Sequence, residues 1–161
     1  MTTVARALST IGSQKVLVPL VAVVAIVLIV RGARTPAGLL IVIWAGAIEL
    51  YSLAKNVVDR PRPPMHLWLT NASSTAFPSG HATQSLSTFA ALALVAAAVT
   101  PIARRPVLAL AAVVAAGVGW SRVYLGVHWT TDVLAGWLAA ACWVALMARV
   151  AHTRRTHEAS P

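Results

Sequence analysis

The sequence predicts an all-α fold: a polytopic transmembrane helical bundle of about five spanning helices, with room for a sixth, short or interfacial one at the N-terminus. Three observations predict it. Apolar residues make up 58% of the 161 residues and charged residues only 11%, against about 25% charged in a soluble domain. The apolar residues gather into five runs, four of them near the roughly 20 residues that a spanning helix needs. Basic residues flank those runs and leave a formal net charge of +9, as expected beside anionic headgroups.

Residues 1–14 place Val4, Ala7, Leu8 and Ile11 at helical spacing. That fits either an amphipathic segment in the headgroup region or a disordered terminus. The first apolar run, 16–30, is short and draws on residues 11–15 to reach spanning length. A cleaved signal peptide is its rival; Ala25 and Ala33 are small, but no A-x-A site follows, so the run reads as a retained helix. The other runs are 36–53, 80–99, 106–125 and 132–150. The tail, 151–161, is polar and reads as a disordered cytoplasmic extension. No repeat, linker or composition shift divides the chain, so 1–161 reads as one domain.

Parity orients the bundle. Arg31 and Arg34, then Arg104 and Arg105, then Arg149, Arg154 and Arg155 all fall on one side, assigned to the cytoplasm. The segments 55–77 and 121–131 fall on the opposite, extracytoplasmic side of the cell membrane, and they hold nearly all the remaining polar residues. The basic charge does not indicate a nucleic-acid partner, because no basic helix carries interleaved aromatics. Cys142 stands alone in an apolar run, cannot form an internal disulfide and reads as a small buried hydrophobe.

Three polar clusters carry the chemistry. The first follows the second apolar run and contains Lys55 and Arg62 among prolines. Lys binds phosphate as a point charge and Arg as a planar fork, and proline pre-sets the backbone around Arg62; alone, the cluster also fits a basic loop near headgroups. The second is Phe77-Pro78-Ser79-Gly80-His81. Ser79 is a good N-cap, a helix start attracts anions, and Gly80 permits close approach, with His81 in the first turn. A plain capped helix with an interfacial histidine reads equally well. The third runs from Ser121-Arg122 to His128 and Asp132. If helical, His128 and Asp132 share a face; if His128 precedes the helix, Asp132 in its first turn still reaches back. A carboxylate on one imidazole nitrogen fixes the tautomer and frees the other nitrogen to attack.

Together the clusters supply three cations, two histidines, one carboxylate and a helix N-terminus on one side. That set suits phosphoryl transfer: cations neutralise phosphate oxygens, a nucleophile attacks and an acid protonates the leaving oxygen. A zinc site built on His81, His128 and Asp132 is the weaker reading, because Lys55, Arg62 and Arg122 would repel a dication. The sequence therefore predicts no metal and no cofactor.

The chain resembles the type 2 phosphatidic acid phosphatases (PAP2), a family related to the vanadium haloperoxidases. The family signature is K-x6-R-P, P-S-G-H and S-R-x5-H-x3-D. It is met by Lys55 with Arg62-Pro63, by Pro78-Ser79-Gly80-His81, and by Ser121-Arg122, His128 and Asp132. The resemblance implies that His128 attacks phosphorus to form a phosphohistidine. Asp132 would orient it and His81 would protonate the leaving group and then activate water. Lys55, Arg62, Ser79, Gly80 and Arg122 would hold the phosphate oxygens. It implies a lipid phosphate as substrate, membrane lipids as surroundings and no metal. Many membrane relatives are six-helix proteins, so the count of five runs is a departure at the N-terminus. Candidate substrates are a polyprenyl diphosphate, a polyprenyl-linked phosphosugar, phosphatidylglycerophosphate and phosphatidate. The alternatives are a lipid phosphotransferase, a vanadate-dependent oxidoreductase and a non-catalytic lipid-binding or transport protein. The Ala-, Val- and Arg-rich composition hints at a bacterial source, and oligomeric state is not readable.

Of the remaining residues, Glu49 reads as a buried acid near the outer end of its helix, with a functional or a structural role open. Asp59 and Arg60 read as a solvated pair. Trp68, Phe77, Tyr124 and Trp129 read as an interfacial aromatic belt, and His66, Trp68 and Leu69 as possible substrate contacts.

Overall fold

The structure, a computed structural model, describes residues 1–101 and 103–158. These residues form helices α1 (Thr2–Ile11), α2 (Gln14–Val30), α3 (Arg34–Val58), α4 (Gly80–Val99), α5 (Arg104–Tyr124) and α6 (Thr130–Glu158), with one 3₁₀ turn at Met65–Leu67. Four of them, α3 to α6, are long and apolar enough to cross a membrane; α1 and α2 meet at 40° and together make a fifth candidate.

The central element is α4, which packs on α3, α5 and α6. Its sequence explains the position. Small and hydroxyl residues allow neighbours close, and several of its hydroxyls bond to its own backbone: Thr83 donates to the Ser79 carbonyl at 3.0 Å and Ser87 to the Thr83 carbonyl at 2.7 Å. Close contact is what holds helices together in lipid, where apolar burial alone gives little preference. Gly136 brings α6 against α4, since a Cβ there would lie 2.9 Å from the Ser79 carbonyl oxygen. Leu28, Leu40, Ile43 and Val95 form the buried core among α2, α3 and α4, with Trp143 and Met147 of α6 against it. Val23, Ile26, Leu110, Val113 and Leu138 are exposed, which is the apolar surface a lipid-facing bundle needs.

The ends of the helices sort by chemistry. The Ser79 amide donates to the Asp132 carbonyl at 2.9 Å, so the starts of α4 and α6 meet. The Leu69 amide donates to the Leu125 carbonyl at 3.0 Å and Lys55 to the Thr75 carbonyl at 2.5 Å, bringing the ends of α3 and α5 to the same place. Arg104 lies at the other end, in a groove it shares with Leu39, Leu94 and His152.

Several expectations are corrected. Residues 151–158 are helical, where polar composition suggested a disordered tail; Ala and Arg are good helix formers, and an anchored helix extends more easily than it nucleates. Residues 159–161 of that tail lie outside the described residues. Of the two readings of the N-terminal segment, the structure takes the helical one, with Ala5 and Ser9 buried and α1 packed on α5. Helix α2 takes in Gln14 and Lys15 but not residues 11–13, where Gly12 and Ser13 break the helix. Helix α3 runs to Val58, so Lys55 is in its last turn and not in a loop. Cys142 and Glu49 are exposed.

Candidate active site

His128 lies two residues before the start of α6, with Trp129 between, and Asp132 occupies the first turn, the second of the two arrangements their spacing allowed. Asp132 Oδ2 accepts the Trp129 amide at 2.9 Å, the reach-back of a capping box, and lies 3.4 Å from His128 Nδ1. Arg62 Nη1 lies 3.1 Å from His128 Nε2. A guanidinium only donates, so Nε2 must be the lone-pair nitrogen and Nδ1 carries the proton toward Asp132. His128 is 4% exposed and Asp132 fully buried. Burial drives the His128 pKa down to about 4; the hydrogen bond with Asp132 opposes the shift, and the charges of Arg62 and Arg122 add to it. The imidazole is therefore neutral at pH 7.

Arg62 is fixed by its surroundings. It donates to the carbonyls of Ser74 at 2.9 Å, Ser73 at 2.8 Å and Val127 at 2.5 Å. Burial lowers its pKa, and Asp132 offsets part of that. The prolines on either side are pinned by indoles: Trp129 donates to the Pro61 carbonyl at 3.1 Å and Trp68 to the Pro63 carbonyl at 2.8 Å. Two residues of the expected aromatic belt thus also hold the arginine segment in place. Gly126 makes the turn into His128 with φ 72°, against the Leu67 carbonyl.

Ser79 caps α4, its hydroxyl accepting the Ala82 amide at 3.5 Å. Gly80 and His81 follow in the first turn. A Cβ on Gly80 would sit 3.2 Å from the Tyr51 ring, so the glycine makes room for that ring as well as for a ligand. Arg122 is 4% exposed, donates to Ser9 Oγ of α1, and leaves its Nε without a partner among the described residues.

Lys55, Arg62, Gly80, His81, Arg122 and His128 all line one cavity of about 450 Å³. Ser79 and Asp132, both fully buried, lie behind it. The structure therefore brings the three sequence clusters together. Among the described residues no three His, Cys, Asp or Glu side chains converge as a metal ligand set.

The pairing of Arg60 differs from expectation. Its Nη1 donates to Asp132 Oδ1 at 2.8 Å and to Thr131 Oγ1 at 2.6 Å, and its guanidinium stands 5.7 Å from the Trp129 ring centroid. Asp59, the expected partner, is exposed at the left-handed end of α3. Glu49 takes no part in the site. Leu69 and His66 do not line the cavity, whereas Gln14, Lys15, Tyr51, Gln84 and the loop 71–74 do.

The family model described as the PAP2 superfamily matches residues 19–156. The chain is 33% identical over 147 residues to an undecaprenyl-diphosphatase of Sulfolobus acidocaldarius, covering 87% of this chain and 65% of that protein. It is 33% identical over 130 residues to phosphatidylglycerophosphatase B of Bacillus subtilis, covering 78% and 63%. It is 30% identical over 145 residues to a lipid A 1-phosphatase of Rhizobium etli, covering 78% and 58%. The chain thus spans less than two thirds of the length of these curated relatives. In solved structures, it is similar to a transmembrane PAP2-type phosphatidylglycerolphosphate phosphatase from Bacillus subtilis, with TM-score 0.88 and 27% identity over 94% of this chain and 77% of that one.

Proposed function

The chain belongs to the PAP2 superfamily, and from that premise we propose that it is a membrane phosphatase hydrolysing a lipid-linked phosphomonoester or diphosphate. The observation that carries this reading is the state of His128. Its Nε2 lone pair faces the cation-lined cavity, while its Nδ1 proton is held by a buried carboxylate. That is a nucleophile with an orienting base partner, set beside groups that neutralise phosphate.

In this reading the incoming phosphate takes over the Arg62 N–H that caps Nε2. Lys55, Arg122 and the amides at the start of α4 hold the remaining oxygens. His128 attacks phosphorus, Asp132 stabilises the imidazolium that results, and His81 gives its proton to the leaving oxygen. Water, deprotonated by His81, then releases orthophosphate and restores His128. No step uses a metal. The site end faces the extracytoplasmic side, a reading supported by Arg34 and Arg104 at the opposite end of the bundle.

The test uses protein purified in detergent and offered polyprenyl diphosphate, polyprenyl phosphate, phosphatidylglycerophosphate and phosphatidate in turn. Orthophosphate release is measured, and the enzyme is quenched with alkali to trap an acid-labile phosphohistidine. His128→Ala should retain the fold and lose at least a thousandfold in kcat. Near-normal turnover by that variant would end the proposal.

A further inference from the structure

Arg122 stands apart from the other cations of the cavity. Arg62 is held by three backbone carbonyls and Lys55 by that of Thr75. Arg122 is 4% exposed, and among the described residues its side chain donates to a single atom, Oγ of Ser9. Its Nε has no partner among those residues. The ion pairs found there are those of Asp132 with Arg60 and His128, so no carboxylate pairs with Arg122. Ser9 belongs to α1, which precedes residues 19–156, the part that matches the family. It does not line the cavity, whose lining begins at Gly12.

Helix α1 is fixed against α5. Ala5, Ser9 and Gly12 are its buried residues and the turn that follows it. A Cβ on Gly12 would lie 2.3 Å from Val118 Cγ1, and one on Gly117 would lie 3.3 Å from Leu8, so the two backbones approach closely. Toward the other end of α1, Ala5 packs with Leu125 and Val127, and Arg6 donates to the Leu69 carbonyl at 2.9 and 3.3 Å. Close packing alone asks for the smallest side chains, and Ala5 and Gly12 supply them. The hydroxyl of Ser9 is not needed for that packing, and a buried hydroxyl is costly unless it is bonded. Thr10 beside it bonds its own helix, donating to the Arg6 carbonyl at 2.9 Å, whereas Ser9 receives Arg122.

A hydroxyl orients a guanidinium without neutralising it. A carboxylate in its place would hold Arg122 more strongly and cancel the charge that a phosphate oxygen requires. The anchors of Arg62 are likewise neutral carbonyls. Without an anchor, Arg122 would be pushed off by Lys55 and Arg62, which line the same cavity, and its rotamer freedom would be lost only when the anion arrived.

We infer that Ser9 is a positioning residue of the phosphate site. Its one hydrogen bond holds the Arg122 guanidinium at the cavity wall before a phosphate enters and leaves the remaining N–H donors for phosphate oxygens. The consequence for turnover rests on the phosphatase reading of the cavity; the anchoring of Arg122 does not.

The experiment titrates orthovanadate into the full chain purified in detergent and measures its Kd by calorimetry. Ser9→Ala removes one oxygen from a helix face that already carries alanine, and it should weaken vanadate binding about tenfold. Ser9→Thr keeps the hydroxyl and should restore most of the affinity. A dissociation constant does not depend on the fraction of protein that is folded, so a mere loss of stability would not move it. The Arg122→Met background decides whether Ser9 acts through Arg122: there, Ser9→Ala should weaken binding no further. Unchanged affinity in Ser9→Ala, or the same loss in both backgrounds, overturns the inference. With the best hydrolysed of the four lipids as substrate, kcat/KM should fall in Ser9→Ala by the factor seen for vanadate. If no lipid phosphate were hydrolysed while the vanadate pattern held, the phosphatase reading would fail and the tether would stand. Hydrolysis alongside an unchanged vanadate affinity in Ser9→Ala would leave that reading intact and remove the tether.

Discussion

Arg60 donates to Asp132 Oδ1 at 2.8 Å, on the opposite carboxylate oxygen from the one that faces His128. Asp132 is fully buried while the Arg60 side chain is 35% exposed. A buried carboxylate that must orient an imidazole needs its second oxygen fixed, and Arg60 fixes it. Replacing Arg60 with Met should lower kcat about tenfold, a barrier increase of about 1.4 kcal/mol, with little change in KM. Arg60→Lys keeps the charge, loses the planar fork, and should fall between. Steady-state kinetics with saturating lipid decides it; a rise in KM with kcat intact would assign Arg60 to substrate binding instead.

Orthovanadate should inhibit competitively, because its five-coordinate form resembles phosphorus in flight between nucleophile and leaving group. Activity should survive exhaustive chelation. Loss of turnover in EDTA that zinc or magnesium restores would overturn the metal-free mechanism. Arg122→Met should weaken vanadate inhibition at least tenfold, since it removes a buried cation from the cavity wall.

The positions of the three clusters were legible because each is tied to a helix end. The start of α4 fell on Gly80 as expected, since Ser79 is a strong cap and an apolar run follows directly. The far end of α3 was missed because Ser52, Lys55 and Asn56 are polar, though they still propagate an established helix. The tail was misread for the same reason: polar residues argue against burial, not against helix. Arg60 was misassigned to Asp59 because a neighbour in sequence is visible and a partner 72 positions away is not. Gln14 and Lys15 count in the sequence only toward the length of the first span, whereas in the structure they line the cavity. The break at Gly12 and Ser13 carried no decisive pattern, and only the packing of α1 on α5 fixes it.

Gly126 adopts φ 72° in the turn that delivers His128, and a Cβ there would overlap the Leu67 carbonyl oxygen. An L residue in that region costs about 1–2 kcal/mol in backbone strain alone. The overlap must also push the 65–69 segment away from Leu125. Gly126→Ala should therefore lower the melting temperature by several degrees and reduce kcat further than the loss of fold accounts for, because His128 shifts relative to Arg62. Thermal unfolding followed by intrinsic fluorescence, paired with kinetics well below the melting point, separates the two effects. An alanine variant with wild-type stability would mean that the turn relaxes.

The depressed pKa of His128 predicts a pH-dependent loss of stability with a defined sign. The imidazole titrates near 6.5 when unfolded and at about 4 in the folded site. Between those values the unfolded chain binds a proton that the folded chain does not, so stability falls as pH drops through this window. Above about pH 6.5 both states are neutral and the group contributes no slope. Below about pH 4 both are protonated and the slope from this group vanishes again. Replacing His128 with Gln removes the linkage. The melting temperature of the wild-type protein in detergent should therefore fall more steeply between pH 6.5 and 4 than that of His128→Gln, with the two curves parallel above pH 7. Parallel curves across the whole range would mean that folding leaves the His128 pKa unshifted, and the burial of its imidazole would then carry no penalty on the charged form.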